Sequence, residues 1–301
     1  MRHEASDPQK PGAGLRFSRM PGHWLLAQMG KRVLRPGGFE LTRHMLDALN
    51  IGSGDDVVEF APGLGVTARA TLELRPRSYV GIERNEDAAK NVRGYLSGVN
   101  RQCLVGRAEK TGLPGASASV IYGEAMLTMQ PYEKKDAIVS EAARVLRSGG
   151  RYGIHELSLR PNDLPGTTKM RIQMALSDAI HIGARPLTAK EWRTLLGAQG
   201  FTIEKQISAP MRLLEPRRLI RDEGLRQALR FIWNVARTPA ARQRIRKMRA
   251  TFRRYSAHLA ATAIVAVKGG VAPGQDADRP SERQYPIALA DPPTTDRNQG
   301  E

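Results

Sequence analysis

Two acidic residues and two glycines are spaced in a way that suits the binding of a nucleoside. Glu59 stands just before the turn Ala-Pro-Gly-Leu-Gly at residues 61–65, and Glu83 follows about twenty residues later. Glycine lets the backbone approach a ligand without a Cβ, and a carboxylate at a strand end can accept both hydroxyls of a ribose. The pattern therefore predicts a nucleoside site around this turn.

Two kinds of nucleoside ligand fit these residues differently. Gly63-x-Gly65-x-x-Ala68 satisfies the fingerprint of dinucleotide-binding turns, which favours NAD. Glu59, however, would crowd a pyrophosphate and is better suited to a ligand that carries cationic groups. A third interpretation is that the glycines only close a strand–helix unit.

The residues around the turn predict alternating strands and helices. Residues 56–60 form an apolar run with β-branched side chains, typical of a strand buried on both faces, and residues 66–74 have helical spacing. Further strands are predicted at residues 78–83, 102–108 and 119–126, and after the Gly-Gly turn at residues 149–150. This is the order of a doubly wound α/β sheet, in which ligands bind at the carboxyl ends of the strands.

Four segments together resemble the class I S-adenosylmethionine-dependent methyltransferases. They are the glycine turn within residues 57–68, Gly-Ile-Glu-Arg-Asn at 81–85, Tyr-Gly-Glu-Ala at 122–125 and Leu-Arg-Ser-Gly-Gly at 146–150. The resemblance covers about residues 40–267 and is closest to the methyltransferases of small molecules, lipids and quinones. Three positions depart from the family pattern: Ala61 replaces a glycine, Arg107 an aspartate and Ser148 a proline.

The resemblance implies S-adenosyl-L-methionine as cofactor and a seven-stranded, mostly parallel Rossmann-like sheet. The implied cofactor-binding residues are Glu59, Ala61, Gly63, Gly65, Glu83, Arg84, Ala108, Glu109, Glu124 and Ala125. His155, which follows the fifth strand, is the histidine best placed to act as a base toward a hydroxyl acceptor, or it is a structural residue at the strand end. We expect no obligatory metal, because a sulfonium donor is already activated.

The composition indicates one sizeable domain with polar ends. The chain has 301 residues, a net charge of +17 and one cysteine, Cys103, so no internal disulfide or multi-cysteine zinc site is expected. No signal peptide or membrane span is indicated, and we expect a cytoplasmic protein. Residues 1–20 and 269–301 are predicted to be disordered. Residues 21–208 and 260–268 are predicted to form the domain that binds S-adenosylmethionine.

Residues 209–259, here called the basic insertion, separate a predicted sixth strand at 201–207 from a last strand at 262–267. The basic insertion contains fourteen arginines and lysines against three acids, a net charge of +11. Two amphipathic helices are predicted in it, and they either pack on the core with a solvated basic face or bind an anionic partner. Because the aromatic residues share the apolar faces, an anionic membrane surface is favoured over nucleic acid.

The acceptor is predicted to be small and hydrophobic or lipid-like, and to be methylated near a membrane surface. Met170 and Met174 either line an apolar acceptor pocket or only pack against the sheet. Three other functions stay open at this point. They are an RNA methyltransferase, an NAD-dependent reductase, and a protein that has the methyltransferase fold and binds the methyl donor without catalysing a reaction. The absence of a Tyr-x-x-x-Lys pair after the fourth strand counts against the short-chain form of the reductase.

Overall fold

A mixed sheet of eight strands forms the core of the protein. The structure is a computed structural model that describes Gly12 and residues 14–269. Its strands are β1 (Asp56–Phe60), β2 (Ser78–Glu83), β3 (Arg101–Val105), β4 (Ala118–Glu124), β5 (Leu146–Leu159), β6 (Leu187–Thr188), β7 (Phe201–Pro210) and β8 (Leu259–Lys268). Their order across the sheet is β3-β2-β1-β4-β5-β8-β7, and the short β6 pairs with β5.

The strand directions confirm the predicted doubly wound, mostly parallel sheet. Strands β1 to β5 pair in parallel, whereas β8 runs antiparallel to both β5 and β7. The two-residue β6 adds an eighth strand to the seven that were predicted. Cys103 lies buried in β3, as expected for a packed core thiol.

Helices cover both faces of the sheet, and several of them pack against the carboxyl end of β5. They are α1 (Gly22–Gln28), α2 (Gly38–Leu49), α3 (Val66–Glu73), α4 (Glu86–Arg93), α5 (Tyr132–Val145), α6 (Gly166–Ile180), α7 (Ala189–Ala198), α8 (Pro216–Glu223), α9 (Leu225–Arg237) and α10 (Pro239–Arg254). Neighbouring residues of β1 face opposite sides, because side chains alternate along a strand. Val57 packs in a cluster with α2, and Val58 packs in a second cluster with α5 and α7.

A third apolar cluster joins the basic insertion to the rest of the domain. The insertion forms three helices, α8 to α10, rather than the two that were predicted. Its buried residues, among them Phe231, Met248 and Phe252, pack with α1, with α6 and with the end of β5. The insertion is therefore part of the same apolar core, and we call α1, α6 and α8–α10 the helical layer.

The ends of the chain depart in part from the predicted disorder. Residues 1–11 and 270–301, which carry most of both predicted disordered segments, lie outside the described residues. Residues 14–20 are described, and there Met20 is buried in the helical layer. The predicted boundary at residue 20 is thus wrong, because the apolar Phe17 and Met20 pack although their neighbours are polar or basic. Within residues 14–269, no helix has the length and apolar character needed to cross a bilayer.

Candidate functional site

A cavity of about 410 Å³ lies at the carboxyl ends of β1, β2 and β4. Its polar half is lined by residues of the sheet edge, namely Glu59, Ala61, Gly63, Thr67, Glu83, Arg84, Ala108, Glu109, Glu124 and Ala125. Its apolar half is lined by Leu26, Leu157, Leu176, Ile180, Met211, Leu213, Met248 and Phe252. The structure thus brings nine of the ten predicted cofactor-binding residues to one cavity.

The turn after β1 exposes backbone to this cavity. Ala61 and Gly63 have φ angles of 54° and 57°, a left-handed conformation that glycine adopts freely and alanine does not. A Cβ added at Gly63 would meet only the Ala61 carbonyl oxygen, at 3.8 Å, so the space above the turn is open. The Gly63 N–H donates to Glu83 Oε2 at 2.9 Å, which ties the turn to the end of β2.

Gly65 is the predicted cofactor residue that does not line the cavity. It has a φ of 71°, and a Cβ at this position would overlap the hydroxyl of Tyr95. The Tyr95 hydroxyl donates to the Gly65 carbonyl oxygen at 3.1 Å. The left-handed backbone and the close packing of Tyr95 both favour glycine here, and the contact of Gly65 with the cofactor stays a prediction.

Glu59 is buried below the turn and is held by two tyrosines. The hydroxyls of Tyr79 and Tyr122 both donate to its Oε2, at 2.6 and 2.8 Å. Burial raises the pKa of Glu59 to about 7, although the two tyrosine hydrogen bonds act in the opposite direction. Near neutral pH this carboxyl therefore exchanges between its neutral and charged forms.

Glu83 is fixed at the end of β2 by backbone donors on both sides. Besides the Gly63 N–H, the Asn85 N–H donates to its other oxygen, Oε1, at 2.9 Å. Ala108 and Glu109 line the cavity beyond β3, and Glu109 forms an ion pair with Lys134 at 2.8 Å. Glu109 thus has a partner within the protein, whereas Glu83 is presented to the cavity by backbone alone.

Glu124 lies at the centre of a buried polar cluster. The Thr42 hydroxyl donates to its Oε1 at 2.6 Å, and Thr67 and the guanidinium of Arg35 contact its Oε2. Burial opposes ionisation of this carboxyl, but Arg35 and His155 outweigh it and hold the pKa of Glu124 at about 2. Glu124 is therefore a permanent anion that neutralises Arg35 in the cavity wall.

His155 does not occupy the position of a base. Its side chain is fully buried and is absent from the cavity lining. Nε2 lies 2.6 Å from the carbonyl oxygen of Pro36, which only accepts, and Nδ1 lies 2.8 Å from Glu124 Oε1. Because both ring nitrogens have protein partners, the structure supports the structural alternative and not the predicted proton transfer from an acceptor.

Several residues of the cavity were missed by reasoning from sequence. Arg35 and His23 line it although both precede the first strand. Burial and the neighbouring cation of Arg84 lower the pKa of His23 to about 4, so this ring is uncharged at neutral pH. The only sequence signal was that Arg35 precedes a Pro-Gly-Gly turn, and nothing in that pattern indicates a buried partner such as Glu124.

The apolar half of the cavity comes mainly from the helical layer. Helix α6 contributes Leu176 and Ile180, and the basic insertion contributes Met211, Met248 and Phe252. Met170 and Met174, which were candidates for an acceptor pocket, are 62% and 66% exposed and do not line the cavity. These two methionines lie on the other face of α6, so neither alternative given for them holds.

Comparison with known proteins shows the family of the chain. An uncharacterized protein of Haemophilus influenzae is 30% identical over 235 residues, which span 77% of this chain and 91% of the relative. Residues 57–150 match the methyltransferase domain family, a stretch that contains the glycine turn, Glu83 and Glu124. The chain belongs to the class I S-adenosylmethionine-dependent methyltransferases. The NAD-dependent reductase is thereby set aside, and S-adenosyl-L-methionine is the cofactor of the family to which the chain belongs.

Solved structures share the fold of the methyltransferase at low sequence identity. The cyclase SpnF is 16% identical with a TM-score of 0.63, over 82% of this chain and 93% of its own. Phosphoethanolamine N-methyltransferase 2 of Haemonchus contortus, solved with S-adenosylhomocysteine, is 14% identical with a TM-score of 0.63, over 83% of this chain and 57% of its own. Similarity at this level shows the fold, and the fold carries more than one reaction.

The polar half of the cavity fits S-adenosylmethionine by the chemistry of its groups. Glu83 would offer a carboxylate to the ribose hydroxyls, and Glu59 would offer a second one to the cationic end of the donor. The open turn at Gly63 leaves space for a ligand next to the backbone, and Ala108 is a small apolar lining residue that would suit the adenine. Arg35, which the sequence pattern did not predict, lies in the same wall with its charge balanced by Glu124.

Proposed function

We propose that this methyltransferase methylates a small, apolar, lipid-like acceptor at an anionic membrane surface. The observation that carries the proposal is the continuity of the cavity: charged groups of the sheet edge and apolar side chains of the helical layer line one space. An acceptor bound against Leu176, Met248 and Phe252 would share that space with the donor. The basic insertion, residues 209–259, supplies part of this apolar wall, including Met248 and Phe252, together with the charge proposed for contact with the membrane.

The residues of the chain act by binding, orienting and excluding water. When bound, S-adenosylmethionine supplies an activated methyl group, so the protein needs to align the acceptor and keep the site dry. The rigid hydrogen bonds of Glu83 and Glu124 fix the polar wall, and the apolar wall disfavours water. His23 is the histidine that lines the cavity among residues 14–269, and its neutral ring can hydrogen-bond a polar group of the acceptor, whereas its lowered pKa makes it a weak base.

Methyl transfer to different classes of acceptor tests the proposal. Calorimetry with S-adenosylhomocysteine and with NAD should give binding of the first ligand only. Tritiated S-adenosylmethionine is then supplied with vesicles of total lipid extract, with total RNA, or with water-soluble metabolites. We expect the label to partition into organic solvent. Label in RNA would establish the RNA methyltransferase instead. Binding of S-adenosylhomocysteine without label in any fraction would indicate a protein that has the methyltransferase fold but no catalytic activity.

A substitution in the apolar wall tests the acceptor half separately. Leu176→Trp fills part of that half, so it should leave the affinity for S-adenosylhomocysteine within about twofold and reduce labelling of lipid by at least tenfold. Met174→Trp is the matched control on the same helix, because Met174 is 66% exposed and does not line the cavity. Equal labelling by the two variants would contradict an acceptor site at Leu176.

A further inference from the structure

Helix α9 exposes a row of large apolar side chains. Leu225, Leu229, Ile232 and Trp233 are 61%, 57%, 52% and 61% exposed, and their spacing places them on one helical face. The opposite face packs inward through Ala228 and Phe231, which are buried in the helical layer. Folded monomeric proteins seldom expose a contiguous apolar surface, and such surfaces mark sites of interaction. We call these four residues, together with Arg226, Arg230 and Arg237, the α9 face.

The charges on the α9 face all have one sign. Arg226, Arg230 and Arg237 are exposed along the helix, and the sequence of α9 contains no acid. The guanidinium of Arg237 lies 5.4 Å from the ring centre of Trp233, so cation and indole are presented together. Interfacial helices combine these elements, with aliphatic and indole groups entering the acyl boundary while arginines reach the headgroups.

We propose that the α9 face docks on a bilayer that contains anionic lipid. Two copies of the chain joined through this face would bring arginine against arginine, which disfavours a symmetric dimer. RNA would pair with the arginines, but three of the four apolar side chains are aliphatic and offer no ring for base stacking. A lipid surface satisfies both halves of the face, since headgroups take the cations and acyl chains take the apolar groups.

The inner face of α9 connects this surface to the cavity. Gln227 donates to the carbonyl oxygen of Gly30 at 2.6 Å, and Asn234 donates to that of Met29 at 2.9 Å. The chain continues from these residues into Leu34 and Arg35, which line the cavity. Helix α9 thus contacts the segment of chain that runs into the cavity wall. The purpose of this docking would be access to a lipid-like acceptor, and in that respect the proposal rests on the proposed function.

Vesicle sedimentation with the full chain tests the docking surface. We expect binding to phosphatidylcholine vesicles containing about 30% phosphatidylglycerol, and binding at least tenfold weaker to pure phosphatidylcholine. Leu229→Glu with Trp233→Glu should reduce the first affinity at least tenfold, and Arg226→Gln with Arg230→Gln should reduce it about fivefold for each arginine. Met174→Glu is the control, because it adds a negative charge at a similarly exposed side chain of α6, outside the α9 face.

Several outcomes would overturn the docking surface without deciding the enzyme's activity. These are no binding by the native protein, native-like binding by the Leu229→Glu, Trp233→Glu variant, or equal loss in Met174→Glu. If the native protein is a dimer and the double variant is not, the face is a dimer interface. If the native protein binds RNA but not vesicles, and the double variant loses RNA binding, the face belongs to RNA. Calorimetry with S-adenosylhomocysteine shows that the variants are folded. Methylation of a detergent-dispersed lipid extract tests the proposed function independently, because it needs no docking.

Discussion

Glu59 and Glu124 are carboxyl groups of one cavity whose surroundings act in opposite directions. Glu59 has only neutral hydroxyl donors, and burial raises its pKa to about 7. Glu124 is equally buried, but the cation of Arg35 holds its pKa at about 2. One acid therefore changes charge near neutral pH, and the other stays anionic. The difference comes from the neighbours and not from the residue type.

The pKa of Glu59 predicts a pH-dependent affinity for the donor. A carboxyl with a pKa of about 7 is about one-tenth ionised at pH 6 and about nine-tenths at pH 8. If the charged form binds the cationic end of the ligand, affinity for S-adenosylhomocysteine should rise about tenfold over this range. Calorimetry at several pH values measures it, and Glu59→Gln should give weak binding with a flat profile. A native profile as flat as that of the variant would contradict this role.

Gly65 predicts a loss of stability that is separate from cofactor chemistry. Gly65→Ala places a methyl group against the Tyr95 hydroxyl in a left-handed backbone, and should lower the free energy of unfolding by roughly 1–3 kcal/mol. Urea unfolding measures the change. Gly52→Ala is the control, because no atom lies within 4 Å of a Cβ there. Adding Tyr95→Ala to Gly65→Ala should recover part of the loss, and no recovery would show that backbone strain alone is responsible.

At the scale of elements, α8 holds the segment that carries Arg35. Glu223, the last residue of α8, accepts from the backbone N–H groups of Arg32 and Val33 at 2.9 and 2.8 Å. Its Oε1 also lies 3.5 Å from the Nζ of Lys31, and both side chains are fully buried. A helix of the basic insertion therefore fixes the segment at residues 31–35, which leads into the cavity wall.

Removing the charge of Glu223 should destabilise the protein strongly. Glu223→Gln leaves Lys31 buried without its counter-charge, and breaking a buried pair in this way costs roughly 3–5 kcal/mol. Chemical unfolding followed by circular dichroism gives the value. Glu86→Gln breaks the exposed pair with Arg93 and should change stability little. Similar effects of the two substitutions would show that the pair at Glu223 is not a structural anchor.

At the scale of the whole molecule, the cavity joins residues that are distant in the sequence. Glu59 at the sheet edge and Met248 in the basic insertion line the same space. A ligand in this space binds the folded chain only, so it stabilises the fold by mass action. Neither the sheet nor the helical layer forms the cavity alone.

Ligand binding should therefore raise the melting temperature. S-adenosylhomocysteine at about one hundred times its Kd adds about 2.7 kcal/mol, which corresponds to a shift of about 5–10 °C for a domain of this size. Differential scanning fluorimetry measures the shift, and NAD at the same concentration should give none. Glu83→Ala should reduce the shift at a fixed concentration of S-adenosylhomocysteine. An unchanged shift in this variant would contradict the ribose contact at the end of β2.

Local patterns in the sequence were sufficient for the sheet and for most of the polar half of the cavity. The alternation of strands with helices predicted the doubly wound order, and the fixed distance from Glu59 to Glu83 placed both at one sheet edge. These features follow from neighbours in the sequence, because a strand, a turn and a helix each need only a short run of residues. The packing of Tyr95 against Gly65 could not be predicted in this way, because it is a contact across thirty residues.

Only the tertiary structure decided the roles of His155, Arg35 and the basic insertion. His155 was predicted to follow the fifth strand, as a base would, but it lies within β5, and Pro36 and Glu124 contact its two ring nitrogens. The helical pattern of α9 identified its apolar face but could not say whether that face points inward or outward, because burial depends on which elements pack together. The sequence determined the fold and the donor edge through local periodicity, whereas long-range packing decided which side chains the cavity and the surface present.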